Sequence, residues 1–334
     1  MNVYQQRISK VLGTFSDLHV GVVGDILLDE EIRGVIERLN PEAPTRPLLK
    51  ITDTQYALGG AGNVAANVAS LGARVTLYGL LGATDQDFPS TSLKNQLYNK
   101  VIETEAERAG IALHVEHEGE TIVKQRLREH SQHGYIARSD WGETHLAPIS
   151  EENQRSILFA LSRNIPLDAL ILSDYAKRMF TGGFSQRILQ FAQQEKIPVF
   201  ADPKPCNIAY YQDLTLVRPN EREARLMVRD ETSDIRSIAR LLHATTRCRE
   251  VIITRGKEGM LGYDGQFYEI PTNVRSVADV TGAGDTTIAA LALSRISGAT
   301  LPEAMSLANY AAGVVVEKAG TATVTREELL ERMK

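Results

Sequence analysis

The run His19-Val-Gly-Val-Val-Gly24, closed by Asp25, decides the fold that we expect for this chain of 334 residues. A continuous apolar run that ends in a glycine and an acid is typical of a parallel strand buried on both faces. Similar runs recur along the chain, at 75–81, 169–173, 198–201, 214–217 and 251–254. Helical patterns lie between most of them, at 61–71, 151–162, 186–194, 221–228 and 235–244. This alternation predicts an α/β fold with a central, mostly parallel sheet flanked by helices.

Two stretches interrupt the alternation and predict a small β lid outside the main sheet. Residues 30–51 carry three prolines among short β-like pieces, and residues 114–139 alternate polar and apolar side chains without helical periodicity. Ligands of such folds bind at the carboxyl edge of the sheet, where a lid would exclude water from a reacting centre. The alternative is that both stretches are irregular surface loops. Beyond Gly282 the chain is predicted to be helical, at 283–297, 301–319 and 326–333.

The composition argues against several classes of function. The chain has 37 Lys and Arg against 42 Asp and Glu, a formal net charge of −5, which argues against binding to nucleic acid or to an anionic membrane. No apolar run approaches the roughly 18 residues that a membrane span requires. Cys206 and Cys248 have the spacing of neither a redox motif nor a zinc site, so we expect free thiols in a cytoplasmic protein.

The most informative motif is Asp279-Val-Thr-Gly-Ala-Gly-Asp285-Thr. Gly282 and Gly284 flank one small residue, Ala283, directly before a strongly helical stretch. A glycine-rich turn that opens a helix binds anions, because its first amides are unpaired and the helix dipole favours negative charge. An acid beside such a site suits a general base, so we predict that Asp285 takes a hydroxyl proton during phosphoryl transfer. The alternative is an N-cap carboxylate on a tight turn.

Two signatures give a resemblance to a known family. The sequence DVTGAGDT at 279–286 resembles the C-terminal signature of the ribokinase (PfkB-type) sugar kinases, and GGAGNVAANVA at 59–69 resembles their N-terminal signature. The resemblance covers nearly the whole chain and implies one ribokinase-like kinase domain over 1–334. It implies ATP as co-substrate and Mg²⁺ as cofactor, with room for a monovalent cation, and Asp285 as the base. It also implies that the backbone of 282–284 stabilises charge on the transferred group, and that a homodimer forms through the lid.

Six shorter segments carry a closer resemblance, to the bacterial heptose 7-phosphate kinases within this family. They span 23–29, 38–44, 172–177, 202–204, 218–223 and 312–321. The implied reaction is phosphorylation of the anomeric O1 of D-glycero-β-D-manno-heptose 7-phosphate to the 1,7-bisphosphate, a step toward lipopolysaccharide core precursors. Two departures keep alternatives open: residues 132–134 read Gln-His-Gly where the family has Gln-Gln-Leu, and the stretch 85–90 is unusual. The alternatives are another phosphorylated sugar as substrate and a catalytically silent sugar or nucleotide sensor.

Candidate substrate ligands gather at the predicted carboxyl edge of the sheet. Asp25 ends the first strand and Asp29 follows one turn later, and the resemblance gives both the role of accepting hydrogen bonds from sugar hydroxyls. Lys124, Arg126 and Arg128 share one face of a strand at period two, a pattern that suits a sugar phosphate. The expected substrate-binding residues are Asp25, Asp29, Arg38, Gly59, Gly60, Asn63, Lys124, Arg126 and Lys177. The alternatives are a capping or structural role for Asp29, an ordinary start for the helix after the glycines, and a solvated lid face for the cations.

The resemblance also implies a nucleotide side. Asn220-Glu-Arg-Glu223 resembles the family's N-x-x-E, which organises magnesium and nucleotide phosphates. The same residues form a capping box by sequence, and both roles can hold together. Asp174 is expected beside Glu223 at the metal, with surface salt bridging as the alternative. The expected nucleotide-binding residues are Lys204, Asn220, Glu223, Thr254, Gly256, Gly259 and Asn309.

Overall fold

Thirteen strands form two sheets in the described part of this computed structural model, which comprises residues 3–84, 89–130, 135–144, 146–180 and 183–333. In chain order the strands are β1 (His19–Gly24), β2 (Ile26–Asn40), β3 (Ala43–Gly60), β4 (Arg74–Leu81), β5 (Ala112–His117), β6 (Ile122–Glu129), β7 (Tyr135–Trp141), β8 (Ala169–Ser173), β9 (Val199–Asp202), β10 (Leu216–Val217), β11 (Glu250–Thr254), β12 (Met260–Tyr263) and β13 (Phe267–Ile270). The helices are α1 (Val3–Gly13), α2 (Ala61–Ser70), α3 (Pro89–Arg108), α4 (Glu151–Arg163), α5 (Phe184–Gln194), α6 (Glu221–Val228), α7 (Ile235–Thr246), α8 (Ala283–Ile296), α9 (Leu301–Val316) and α10 (Arg326–Arg332).

The larger sheet has nine strands in the order β13-β12-β11-β10-β9-β8-β1-β4-β5. The seven strands from β11 to β5 run parallel, while β12 and β13 add an antiparallel hairpin at one edge. The prediction of an α/β fold with a mostly parallel sheet is therefore confirmed, with small shifts in the ends of elements. Strand β1 lies between β8 and β4, so its carboxyl end is in the middle of the edge where ligands of such sheets bind.

Helices cover both faces of the larger sheet and bury two apolar cores. One core includes Leu291 of α8 and Leu307 of α9, and the other includes Ile188 of α5 and Leu242 of α7, all fully buried. Every residue of α8 from Asp285 to Ser294 is buried. The surrounding core therefore holds the first turn of α8, which carries the glycine-rich motif, in a fixed position.

The sequence pattern does not predict helix α3, which has 20 residues. Its sequence is largely polar, and its Leu93 and Leu97 are exposed, so it lacks the apolar stripe of an amphipathic helix. The helix begins at Pro89, inside the unusual stretch 85–90, of which 85–88 lie outside the described residues. No described helix, α3 included, is both long enough and apolar enough to cross a membrane.

The smaller sheet, in the order β3-β2-β6-β7, is the β lid that the sequence predicts. Strands β2 and β3 pair along almost their whole length, from Ile26 opposite Gly60 to Asn40 opposite Ala43. The short pieces expected at 30–51 are thus two long strands of one hairpin. Prolines are tolerated in β3 because it is an edge strand, where a missing N–H leaves no neighbouring strand unpaired.

The second predicted lid segment, 114–139, divides between the two sheets. Its first part belongs to β5, which pairs in parallel with β4 at the edge of the larger sheet, so it is not a lid strand. An edge strand is half-exposed and alternates polar and apolar residues as a lid strand does, which is why the pattern did not separate them. The lid strands within this segment are β6, which is parallel to β2, and β7, which is antiparallel to β6. Residues 132–134, which depart from the family pattern, lie outside the described residues.

Candidate active site

Helix α8 begins at the glycine-rich motif. Its N-cap is Gly282, with a φ of 79°, a left-handed conformation that glycine adopts without strain. A Cβ at this position would also lie 2.6 Å from Nδ2 of Asn63 on α2, so only glycine allows this close approach. The amides of Gly284 and Asp285 lie in the first turn, where an α-helix supplies no acceptor, and they are therefore available to an anion.

Asp285 lies in the same turn and is buried. Nδ2 of Asn63 donates to its Oδ2, and the hydroxyl of Tyr175 donates to its Oδ1, each at 2.7 Å. Burial raises the pKa of Asp285 to about 6, although these two hydrogen bonds act in the opposite direction. The carboxylate is thus ionised at neutral pH and more basic than an ordinary aspartate, which suits a general base. It is not an N-cap, because Gly282 occupies that position.

A buried ion pair lies beside this turn. Arg218 and Asp202 form it, and both side chains are almost fully buried. A Cβ on Gly284 would come within 2.8 Å of Nη2 of Arg218. Burial alone would lower the pKa of Arg218, but Asp202 and Glu223 outweigh it and raise that pKa. Glycine at 284 therefore lets a permanent positive charge approach the amides at which an anion would bind.

Lys204 and Glu223 extend the same charged cluster. Nζ of Lys204 lies 2.6 Å from Oε1 of Glu223. Burial favours both neutral forms, but the ion pair outweighs it, so that the pKa of Lys204 is raised and that of Glu223 is lowered. Oε2 of Glu223 accepts from the amide of Asn220, and Oδ1 of Asn220 accepts from the amide of Glu223. The predicted capping box is therefore present, and it holds an ionised carboxylate at the edge of the sheet.

The two residues expected at Mg²⁺ differ in what they can offer. Glu223 fits, because Lys204 and the amide of Asn220 leave further acceptor sites on its carboxylate. Mg²⁺ takes one or two carboxylates and completes its shell with water and substrate phosphates. Asp174 does not fit, because its buried carboxylate accepts from the amide of Ala176 at 2.7 Å. It also accepts from Nδ2 of Asn207 at 2.9 Å and from the hydroxyl of Tyr211 at 3.0 Å, which corrects its expected metal role. Among the described residues, no three acids, histidines or cysteines group together as a metal site.

Asp25 is also used inside the protein rather than toward a sugar. Its Oδ2 accepts from the amides of Tyr175 and Lys177 at 2.9 and 3.1 Å. Its Oδ1 accepts from the amides of Arg178 and Met179 at 3.2 and 3.1 Å. Four donors fill the acceptor capacity of a carboxylate, so the expected contact with a sugar hydroxyl is not open to Asp25 in this structure. Its observed role is to fix the loop that follows β8.

Asp29 connects the lid strands to the body of the protein. Its carboxylate pairs with Arg126 of β6, and its Oδ2 accepts from the hydroxyl of Thr321 at 3.0 Å. A Cβ on Gly59 would come within 2.8 Å of the same oxygen. The next residue, Gly60, is the N-cap of α2 and has a φ of 57°. A larger residue at 59 would clash with the Asp29 carboxylate, and the positive φ at 60 favours glycine. Asp29 itself is an ion-pair partner rather than a helix cap.

The three cations of β6 are half-buried, and two of them pair with acids of the protein. Arg126 pairs with Asp29, and Arg128 lies 3.4 Å from Glu31 and 3.6 Å from Asp279. Lys124 has no salt bridge to a described residue, and its Nζ lies 5.1 Å from the centroid of the Tyr175 ring. Burial is the largest influence on its pKa, which is lowered. Lys124 is thus the cation of this strand most open to a bound anion.

Of the remaining expected substrate ligands, two reach the site and one does not. Asn63 holds the base, and Nζ of Lys177 lies 2.6 Å from Oε2 of Glu143 near the end of β7. Arg38 is exposed near the outer end of β2. It follows Asp29 by nine residues, which is about 30 Å along an extended strand. The length of the hairpin therefore keeps Arg38 away from the site of its own chain.

The remaining expected nucleotide ligands lie on the β9–β13 side of the edge. Thr254 ends β11 and forms a parallel bridge with Asn220. Gly256 and Gly259 follow in a loop where both have positive φ, 53° and 83°. Nδ2 of Asn309 donates to the carbonyl of Pro271 at 2.8 Å, so this side chain positions the segment after β13.

Two side chains in the site, Tyr175 and Arg218, were not among the predicted ligands. The Tyr175 ring lies between two ammonium groups, with its centroid 5.1 Å from Nζ of Lys124 and 5.4 Å from Nζ of Lys204. Both residues fall in segments that carried the closer family resemblance, 172–177 and 218–223, so a signal was present. The resemblance did not assign a role to either residue, because their partners, Asp285 and Asp202, are distant from them in the sequence.

The fold and the site together fit the class of enzyme that the sequence motifs resemble. A mostly parallel sheet, a four-stranded lid and a buried carboxylate where a helix opens on Gly-Ala-Gly-Asp are the features expected of a ribokinase-like sugar kinase. The model of the pfkB family of carbohydrate kinases matches residues 176–328. This match covers slightly less than half of the chain and includes the glycine-rich motif at 279–286.

Two curated relatives are similar to this chain over most of its length. "Bifunctional protein HldE" of Granulibacter bethesdensis is 37% identical over 329 residues, covering 94% of this chain and 64% of that protein. The protein of the same name from Geobacter metallireducens is 33% identical over 336 residues, covering 98% of this chain and 66% of that protein. The chain therefore spans slightly less than two thirds of the length of these relatives.

Solved structures share the architecture. Phosphofructokinase-2 from Escherichia coli, in complex with substrates and products, superposes with a TM-score of 0.75 at 16% identity, covering 94% of this chain and 97% of that one. Arabidopsis thaliana ribokinase, complexed with ribose and ATP, gives a TM-score of 0.67 at 17% identity, covering 95% and 99%. At this sequence identity the similarity is evidence for the fold alone, and it confirms the expected ribokinase-like fold.

Proposed function

We propose that this protein is an ATP-dependent sugar kinase that transfers the γ-phosphoryl group of ATP to the anomeric O1 of D-glycero-β-D-manno-heptose 7-phosphate. The reaction would take place in the cytoplasm as a step toward lipopolysaccharide core precursors. One observation carries the chemistry: Asp285 is a buried carboxylate with a pKa of about 6 in the first turn of α8. The choice of sugar is supported by the heptose-kinase segments and by the HldE relatives.

The proposed reaction uses the two groups at the start of α8. O1 of the sugar attacks the γ-phosphorus while Asp285 accepts its proton. The bond from phosphorus to the β,γ-bridging oxygen breaks, and ADP leaves. The amides of Gly284 and Asp285, with Arg218 beside them, stabilise the negative charge of the transferred group.

The phosphate of the sugar is proposed to bind on the lid side. A cavity of about 140 Å³ lies between the lid and the C-terminal segment, and its lining includes Asp29, Arg126 and Thr321. Arg126 offers a planar fork that matches phosphate oxygens, and a doubly charged phosphate competes well with the single charge of Asp29. Lys124, which has no carboxylate partner among the described residues, adds a second positive charge.

ATP is proposed to bind along the opposite half of the edge. Lys204, Thr254 and the loop containing Gly256 lie there, and Lys204 supplies charge for the phosphates. When bound, Mg²⁺ neutralises phosphate charge, and Glu223 would hold it through water. A monovalent cation remains part of the proposal, since E. coli phosphofructokinase-2 has been solved in complex with potassium.

Replacing Glu223 by Gln is expected to raise the Mg²⁺ concentration for half-maximal activity by about 10- to 100-fold, as for other contacts that support a metal site. Helix α6 should stay folded, because Gln also completes a capping box. The measurement is ADP release while Mg²⁺ is titrated at fixed ATP. Glu221→Gln, on the same helix and paired with Arg225, is the matched control and should leave the Mg²⁺ requirement unchanged. An unchanged requirement in Glu223→Gln would remove this carboxylate from the metal site.

A substrate panel tests the proposed function. Purified protein with ATP and Mg²⁺ is given heptose 7-phosphate, hexose 6-phosphates or pentose 5-phosphates, and ADP release is measured. We expect the fastest turnover with heptose 7-phosphate. Turnover with a different sugar phosphate alone would correct the substrate and keep the enzyme class. No turnover with any of them would favour a silent sensor, against which the raised pKa of Asp285 already argues.

We also propose a homodimer that forms through the lid. Leu39 and Ile51, in the outer part of the β2–β3 hairpin, are 58% and 59% exposed. Apolar residues on an exposed strand pair are better buried against a second copy than left in water. A monomeric mass in analytical ultracentrifugation at micromolar concentration would contradict this proposal.

A further inference from the structure

Tyr175 occupies the catalytic base in the structure described here. Its hydroxyl donates to Oδ1 of Asp285 at 2.7 Å, while Asn63 donates to the other oxygen. A base that removes a proton from a hydroxyl must first come within hydrogen-bond distance of it. Asp285 is only 4% exposed, so the acceptor hydroxyl of a substrate can approach its carboxylate only when one of these two neighbours moves.

The surroundings of Tyr175 keep it in place as a donor. Burial and the neighbouring Asp285 raise its pKa well above 10, so the phenol holds its proton. Its ring lies between Lys124, on the lid side, and Lys204, on the nucleotide side. The backbone amide of Tyr175 is bound by Asp25 at 2.9 Å, so release of the base requires rotation of the side chain rather than movement of the loop.

We propose that Tyr175 caps Asp285 until the acceptor hydroxyl of the sugar displaces it, and that this cap suppresses transfer of the phosphoryl group to water. The inference rests on the proposed function, because it assumes that Asp285 is the base of a sugar kinase. In the suppressed reaction, a water oxygen attacks the γ-phosphorus of ATP and its proton passes to Asp285. The bond to the β,γ-bridging oxygen breaks, and the products are ADP and inorganic phosphate.

The difference between sugar and water lies in binding energy. Displacing the phenol costs its hydrogen bond to a buried carboxylate. A sugar phosphate that contacts Lys124 and Arg126 offsets this cost through contacts remote from the reacting hydroxyl, whereas water makes no such contacts. The cap therefore opens for the intended acceptor and stays closed to solvent.

The test is Tyr175→Phe, which keeps the ring between the two lysines and removes only the hydroxyl. ATP hydrolysis without sugar is expected to rise by about tenfold or more, because water can then reach the base. The KM for heptose 7-phosphate is expected to fall, since no internal donor competes with the sugar. Adding Asp285→Asn to the same chain should abolish the gain in hydrolysis.

Tyr211→Phe is the matched control. It also removes a buried tyrosine hydroxyl that donates to an aspartate, Asp174, at 3.0 Å, but it leaves Asp285 untouched. This variant should hydrolyse ATP at the wild-type rate. Equal hydrolysis by Tyr175→Phe and wild type, an equal rise in both phenylalanine variants, or a gain that persists with Asn at 285 would overturn the proposal. Failure of the sugar panel together with a rise confined to Tyr175→Phe would overturn the proposed substrate and support the cap.

Discussion

Replacing Asp285 by Asn is expected to lower kcat for sugar phosphorylation by about 10²- to 10⁴-fold, the contribution typical of a positioned general base. Asn has nearly the same shape but cannot take the proton of the acceptor hydroxyl. The site should remain intact, because Asn can accept from Asn63 and donate to the hydroxyl of Tyr175, which also accepts. ATP affinity, measured by calorimetry, should therefore stay close to that of the wild type.

Measurements of turnover and stability against pH, on wild type and Asp285→Asn, distinguish the role of Asp285 as a base from its effect on folding. Wild-type turnover should decline as the pH falls below about 6, because Asp285 then carries a proton. The folded protein binds this proton more readily than the unfolded chain, where an aspartate has its usual pKa of 3.8. Stability from this residue is therefore lost as the pH rises from about 4 to about 6, and Asp285→Asn should melt no lower than wild type at pH 7. Near-normal turnover in Asp285→Asn would exclude the carboxylate as the base.

Replacing Arg218 by Met is expected to lower the free energy of unfolding by about 3–5 kcal/mol, the cost of leaving a buried charge without its partner. Asp202 is almost fully buried, and Arg218 forms its ion pair. Met fills much of the volume of Arg, so the loss reflects the charge more than the packing. Urea denaturation at pH 7 measures the effect.

An exposed pair provides the matched comparison. Arg247 contacts both oxygens of Asp213, at 2.9 and 2.6 Å, and the two side chains are 56% and 60% exposed. Arg247→Met should therefore cost less than about 1 kcal/mol, since water screens such pairs and replaces them. Converting Asp202 to Asn in the Arg218→Met protein should restore part of the lost stability. Equal losses for the two methionine variants would show that burial does not set the cost.

The parts of the fold that the sequence predicts are those with a strong local signal. The apolar run at β1 and the glycine-rich start of α8 are each recognisable on their own, and both are where the structure has them. Helix α3 and strand β5 were missed or misplaced for the opposite reason. A helix that is largely polar and a strand at the edge of a sheet are stabilised by neighbours that a local pattern does not contain.

The site shows a sharper limit. Asp25, Asp174 and Asp285 are three acids at one edge of the sheet, and in sequence nothing distinguishes their availability. The fold distinguishes them by the donors that it places around each one. Four amides occupy Asp25, and the amide of Ala176 and two side chains occupy Asp174. Asp285 instead accepts from two side chains, which can rotate away, and it lies in the turn whose amides an anion can bind. The sequence predicts that the reaction takes place at this edge of the sheet. It does not show which carboxylate reacts, except for Asp285, which the glycine-rich turn identifies.

The β2–β3 hairpin of the lid joins the larger sheet and α2 without a linker, and this constrains how it can move. Strand β2 begins two residues after Gly24, and α2 begins directly after Gly60. The amide of Ala61 donates to the carbonyl of Asp25 at 2.9 Å, so the two junctions of this hairpin are held together. The side chain of Asp25 accepts hydrogen bonds from the amides of Tyr175 and Lys177, in the loop after β8. A single residue, Asp25, therefore holds the start of α2 with its backbone carbonyl and the Tyr175 loop with its side chain, so the lid junction and the backbone of Tyr175 share one fixed support.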